Sequence, residues 1–290
     1  MRKFVLLLLV LLSNSWVNTS YGQNKGVQMT AISAKLQNMR ADLPAAHAID
    51  TTRLVAYYRF HYPQDNLQGK FETEEDVLCF QIGKKVYKTF SYNLFCMDMR
   101  DKRGKHRLNY VPYTVFCNYP EGKMTQENRI PFSPLLQGSM QVVAYEEPLA
   151  SWQWQLEEET DSIAGYFCRK AIGVQYGREW TVWYTQEIPV ACSVWKFTGL
   201  SGLVLKAADS TGSYSFEINE IEVKQEPVML YNWKPEYVSK EQWKRLEKDM
   251  YEHPGKYFSL NGQLKVYNQS TKQMLSAEMW TIPYNPIEKE

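Results

Sequence analysis

The chain has 290 residues, with 33 Lys and Arg against 32 Asp and Glu and a formal charge of +1, so no overall field draws it to nucleic acid or to an anionic membrane surface. Aromatic residues make up 14%, including nine Trp and 20 Tyr, and most fall in short runs with Val, Ile and Thr rather than at helical spacing. That composition favours strands.

In chain order, Arg2 and Lys3 precede the apolar run Phe4 to Leu12, then a polar stretch and the small residues Ser20 and Gly22. This pattern predicts a secretory signal peptide over residues 1–22, cut after Gly22. The run is well short of the roughly 20 residues of a membrane-spanning helix, and no later stretch approaches that length. Loss of residues 1–22 removes two basic and no acidic residues, which leaves 31 against 32 and a net charge of −1. Met29, Ile32, Leu36, Met39 and Leu43 then recur at spacings of three and four, which predicts a helix over Val27 to Leu43.

Phe80, Ile82 and Val86 to Phe90 read as two strands around a Gly83-Lys84-Lys85 turn. Tyr92 to Met99 and Leu108 to Phe116 read as a second hairpin flanking a basic, solvated turn, Arg100 to Arg107. Trp152, Trp154 and Leu156 alternate as one face of a strand. Tyr166, Cys168, Lys170, Ile172, Val174 and Tyr176 share another face, and the chain reverses at Gly177-Arg178 into Trp180 to Thr185. Tyr214, Phe216 and Ile218 have period two, but Ile221 and Val223 are one step out of phase, so a β-bulge is expected near Asn219 or Glu220. Ser239 and Gln242 form a capping box for a helix that carries Trp243, Leu246 and Met250 on one face and stops before Pro254-Gly255. A joint is expected over Gln225 to Pro235, and closing strands near Leu264 to Asn268. The fold expected is mainly antiparallel β, a strongly curved sheet or half-barrel with two accessory helices, with an α+β arrangement as the alternative.

Chemical signatures are few. None of His47, His61, His106 and His253 pairs with another histidine or a cysteine at a metal-ligand spacing, so neither a metal site nor a cofactor is expected. No nucleophile elbow, P-loop or dinucleotide fingerprint occurs, and no catalytic residue is assigned. Cys96, Met97 and Met99 would suit a soft metal, but strand alternation sets Cys96 opposite the methionines, and core packing explains them better. Acidic runs such as Glu72 to Asp76 and Glu157-Glu158-Glu159 read as solvated strand ends. Five cysteines, Cys79, Cys96, Cys117, Cys168 and Cys192, remain after export, which fits two disulfides and one buried thiol, with Cys168 and Cys192 the favoured pair.

The stretch from Ile163 to Leu205 resembles the GLPGLI family of exported proteins from Gram-negative bacteria. The resemblance rests on Gly165, Tyr166, Cys168, Lys170-Ala171, Gly177-Arg178, Trp183-Tyr184-Thr185, Glu187-Ile188-Pro189, Lys196-Phe197 and Gly199-Leu200-Ser201-Gly202-Leu203-Val204. Tyr119-Pro120-Glu121-Gly122, Tyr145-Glu146-Glu147, Trp152 and Glu159-Thr160 extend it, so that it spans roughly residues 77–225. Ser201 stands where the family usually has proline, and Ala191-Cys192-Ser193-Val194 replaces its more usual Gly-Pro, which implies a looser loop or one held by a Cys192 disulfide. The organisation expected is a GLPGLI-like β domain over 51–225, preceded by an N-terminal helical segment over 23–50 and followed by residues 226–290, which supply the second helix and closing strands of the same domain. Export to the periplasm, the outer membrane or the medium is implied, without an agreed activity.

Two functions follow as expectations. The first is a non-enzymatic binding or assembly-accessory protein of the cell envelope, whose concave, aromatic-lined sheet takes an apolar small molecule or an envelope protein. Its candidate contacts are Trp180, Trp183, Trp195 and Phe197, with Gly199, Leu200 and Gly202 of the glycine motif. The second is an envelope hydrolase of glycans or peptides using paired carboxylates such as Glu159 and Glu187. The glycines themselves are expected to let the backbone turn or lie close against a neighbouring strand.

Overall fold

The computed structural model describes residues 18–21, 24–29, 41–65, 71–99, 110–130, 141–253, 257, 266–268, 274–275 and 283–289. The first strands are β1 (Asn18–Tyr21), β2 (Asn24–Met29), β3 (Ala46–Asp65), β4 (Phe71–Gly83) and β5 (Tyr87–Ser91), followed by helix α1 (Tyr92–Asp98). Next come β6 (Tyr113–Cys117), β7 (Lys123–Ile130), β8 (Gln141–Pro148), β9 (Gln155–Ile163), β10 (Tyr166–Gln175) and β11 (Arg178–Thr185). The rest are β12 (Leu203–Asp209), β13 (Ser215–Glu222), β14 (Pro227–Tyr231), β15 (Glu236–Tyr237), helix α2 (Lys240–Glu252), β16 (Val266–Asn268) and β17 (Met274–Leu275).

Thirteen strands form one sheet in the order β15-β8-β7-β6-β5-β4-β3-β13-β12-β11-β10-β9, with β14 added on β3. All pairings in it are antiparallel except β15 with β8, and the sheet does not close. A smaller sheet runs β1-β2-β16-β17. The expected curved antiparallel sheet with two helices is therefore present.

Alternation explains the inner face. Ala56, Tyr58, Phe60 and Tyr62 on β3 and Leu78, Phe80 and Ile82 on β4 are buried in a cluster that also takes in Val115 of β6, Met124 of β7, Ala171 of β10 and Trp180 of β11. Strands far apart in the sheet order can share one cluster only if the sheet wraps around it. What fills the hollow is the connection between β11 and β12. Ile188, Val190, Cys192, Val194, Trp195, Phe197 and Leu200 all enter the same cluster. Thr89 Oγ on β5 accepts from Trp195 N at 3.0 Å, Tyr58 donates to Val204 O at 2.7 Å, and Cys192 is disulfide-bonded to Cys117 on β6.

Several expectations match the structure. Glu220 pairs with Tyr57 while Ile218 pairs with Tyr58, which places the bulge at Asn219. Ser239 Oγ accepts from Gln242 N and Gln242 Oε1 accepts from Ser239 N, the expected capping box of α2. Trp243, Leu246 and Met250 of that helix pack on Ile130, Val143 and Tyr145. The hairpin around Gly83-Lys84-Lys85 forms as β4 and β5.

Other expectations are corrected. Residues 27–29 are strand, in β2, and residues 30–40 of the expected first helix lie outside the described residues, as do most of the signal peptide and the basic turn. Tyr92–Asp98 is a helix, because Ser91 Oγ caps it through Leu94 N at 3.0 Å and Asn93 is anchored by a buried hydrogen bond to Asp76. The strand alternation read for Cys96 and the methionines therefore does not exist, and β6 pairs with β5 instead. Trp152 is buried and Leu156 is 63% exposed, so they do not share a face. The β10-β11 turn falls at Tyr176-Gly177, both at positive φ, one residue earlier than expected.

The glycine motif performs both expected tasks. Gly199 turns the chain at φ 84°, beside the Trp152 carbonyl. At Gly202 an added Cβ would overlap the Thr185 carbonyl oxygen and lie 2.7 Å from its carbon. Gly202→Ala should therefore lower stability by about 1–3 kcal/mol, read as a fall in the thermal unfolding midpoint by circular dichroism.

Candidate functional site

The tryptophan cluster is a packed core. Trp180, Trp195 and Phe197 are at most 1% exposed, with ring centroids 5.2–5.4 Å apart in each pairing, and Phe216 and Trp152 close around them. Leu200 is buried, Trp183 is half-buried against the cluster, and Gly199 and Gly202 contact backbone. The curved sheet thus presents no open aromatic face here, because the chain's own 188–200 segment occupies it. Of the two acids proposed for hydrolysis, Glu159 pairs with Lys170 at 2.8 Å on the exposed β9, and Glu187 accepts from Phe167 N at 2.8 Å. The disulfide joins Cys192 to Cys117 rather than Cys168, because the β11-β12 connection crosses the hollow to reach β6. Cys79, Cys96 and Cys168 are all buried.

Lys196 of the glycine motif is fully buried and carries charge into the core. Its ammonium contacts Glu147 at 2.5 Å, Glu288 at 2.5 Å and the Tyr145 hydroxyl at 2.9 Å. Lys240 of α2 bridges the same two carboxylates at 2.8 Å from each, with its ammonium 3.9 Å from the centre of the Tyr176 ring. Burial alone would raise the Glu147 pKa, but Lys196 and Lys240 outweigh it and hold the carboxyl below its ordinary value.

On the opposite face of the sheet lies a small cavity. The register sets Lys88, Phe116 and Thr125 in one cross-strand row and Phe90, Thr114 and Glu127 in the next, with Arg129 two residues beyond Glu127. Leu43, Tyr231 and Trp233 line the other side of a partly open cavity of about 30 Å³. That volume suits a water or two, or one small head group.

Lys88 Nζ donates to Met229 O at 2.8 Å and lies 4.9–5.4 Å from the ring centres of Phe90, Phe116 and Tyr231. Burial pushes its pKa down to about 8, against the pull of Glu127. Arg129 pairs with Asp98 at 2.6 Å under the Trp233 ring. Glu127 is 7% exposed, and burial pushes its pKa up to about 7 against Lys88 and Arg129. Its carboxylate accepts no hydrogen bond from the described residues. An acceptor left without a protein donor at a cavity wall is open to water or to the donor of a guest. The cavity can thus offer a guest one acceptor, the ammonium donors of Lys88 and aromatic walls. Neither Lys88 nor Glu127 was singled out from sequence. The available signal was a charged residue in mid-strand, in VYKTF and TQENRI.

Among the described residues no group of three or more His, Cys, Asp or Glu is placed to hold a metal, and no helix is long and apolar enough to cross a membrane. No protein-family profile and no curated protein matches the chain. Among solved structures it is similar to PNGF-II in two crystal forms. One has a TM-score of 0.46 and 16% identity over 68% of this chain and 33% of that one. The other has a TM-score of 0.44 and 17% identity over 68% and 32%. The chain spans about a third of that protein's length.

Lys196→Met leaves Glu147 and Glu288 to share the ammonium of Lys240, one buried negative charge in excess, and should cost about 3–5 kcal/mol in urea unfolding, whereas Lys170→Met, at a more exposed pair, should cost under about 1 kcal/mol. Because the Glu147 pKa is lowered on folding, its contribution is present above the ordinary carboxyl pKa and is lost as pH falls through the folded value. Lys196→Met should therefore also blunt the acid limb of the stability curve. Glu127 has the opposite sign, since its raised pKa makes the folded state lose stability as pH rises from about 4.5 to about 7. Glu127→Gln should make the fall in thermal midpoint across that window shallower, while Asp76 and Glu247, raised by burial to about 7, keep it from becoming flat.

Proposed function

We propose that this chain is an exported protein of the cell envelope, similar to the GLPGLI family, that acts by binding rather than by catalysis. The supporting features are the apolar leader over residues 1–22, the resemblance over roughly residues 77–225, and a disulfide that suits an oxidising compartment. Its site is the cavity at Lys88 and Glu127 rather than the tryptophan cluster, whose rings are spent on one another.

One observation carries the reading: the Glu127 carboxylate lines that cavity and accepts no hydrogen bond from the described residues. The volume admits a head group and excludes an acyl chain. A carboxamide or alcohol fits, donating to Glu127 and accepting from Lys88, with an apolar remainder against Tyr231 and Trp233. The guest is either a small, largely apolar molecule or a side chain of an envelope partner.

Native mass spectrometry of protein purified from the envelope tests this. The expected result is an added mass, or a partner, that is lost in Glu127→Gln and in Trp233→Ala while both variants keep the parent circular dichroism. A wild-type spectrum holding the chain alone, with no thermal shift on adding primary amides or alcohols, would overturn it.

A further inference from the structure

Residues 283–289 lie in the fold as a short segment held by side chains from four separate elements. Arg178, 3% exposed at the start of β11, spends its guanidinium on them. Nε donates to Ile287 O at 3.0 Å, and Nη2 donates to Pro286 O at 2.6 Å and to Asn285 Oδ1 at 2.7 Å. Nη1 is fixed by Asp209 at 2.7 Å, which sets the fork in place. The Tyr214 hydroxyl donates to Asn285 O at 2.6 Å, and Lys289 N donates to Tyr176 O at 2.9 Å. Ile287 packs against the main core, and Glu288 enters between Lys196 and Lys240.

This division of labour is that of a peptide-recognition site. Contacts to main-chain carbonyls supply affinity for any extended chain, and contacts to alternate side chains supply choice. Here the choice is strict at three positions. Asn285 meets the guanidinium, Ile287 meets an apolar floor, and Glu288 meets two ammonium groups that would reject a cation. Pro286 offers a carbonyl without an N–H that would need a partner. The receptor residues Arg178 and Lys196 belong to the stretch that carries the family resemblance, whereas their occupant lies outside it.

We infer that the cradle of Arg178, Tyr214, Lys196 and Lys240 is a recognition site for an Asn-Pro-apolar-Glu segment, filled here by residues 285–288 and able to take the same segment from a protein partner. The in-chain segment competes at the high effective concentration of a tethered ligand, so the partner gains access when that segment is weakened or withdrawn.

The test uses the full chain and a fluorophore-labelled heptapeptide of sequence Pro-Tyr-Asn-Pro-Ile-Glu-Lys, residues 283–289. Glu288→Lys sets a third ammonium against Lys196 and Lys240 and should unseat the in-chain segment. By fluorescence anisotropy that variant should bind the peptide at least about tenfold more tightly than the wild type. Unlabelled peptide should compete, and a peptide with Lys in place of its Glu should not. A variant that keeps its native near-ultraviolet circular dichroism yet binds no peptide, or binds both peptides equally, overturns the inference. If Glu288→Lys does not fold, Asn285→Ala serves, since it removes one side-chain contact. The peptide should then raise its thermal midpoint more than it raises that of the wild type, and an equal response also overturns the inference. None of these outcomes depends on the cavity at Lys88.

Discussion

The ammonium of Lys196 is the point on which the two wings of the sheet agree. Taking such a charge out of water costs several kcal/mol even after relaxation, so it is tolerated only with close partners. Those partners come from β8, from α2 through the carboxylates it shares with Lys240, and from the segment 283–289. Lys196 itself belongs to the β11-β12 connection. A single desolvated charge thus requires four parts of the chain to meet at one place. The neighbouring Trp195 and Phe197 lie on the connection that Lys196 anchors and are buried in the main cluster.

The consequence for function is a division between faces. The inner face, where a curved antiparallel sheet would hold a ligand, is closed by the chain's own aromatic connection and a disulfide to β6. The opposite face carries the alternate residues of the same strands, and there β14 and the residues after it line a cavity with a lysine and a glutamate in its wall. Alternation along β5 and β7 decides both at once. Thr89 and Gln126 turn inward to the connection and to Tyr145, and Lys88 and Glu127 turn outward.

What was legible in the sequence is what depends on neighbours along the chain. The bulge at Asn219 shows as a slip in a period of two, and the α2 cap shows as Ser239 followed by Gln242. The cysteine pairing was not legible, because Cys192 reaches Cys117 only after the connection has crossed the hollow, and no spacing encodes that path. Helix α1 was missed because its start is secured by Ser91 and by a buried Asp76 that lies on another strand. The tryptophans were correctly seen as a group, but the same pattern describes a ligand-lined face and a packed core. Lys88 and Glu127 stand on different strands, and only the β5-β6-β7 register sets them in adjacent rows.

The contact between Lys196 and Glu288 also orders events in time. A chain made from its first residue onward presents β3 to β8 early, and the connection that fills their hollow later. The second carboxylate for Lys196 arrives only when residue 288 does. Until then two ammonium groups share Glu147 alone, and the inner core holds a charge it cannot fully neutralise. Completion of the core therefore waits on residue 288, well after both wings of the sheet have been made.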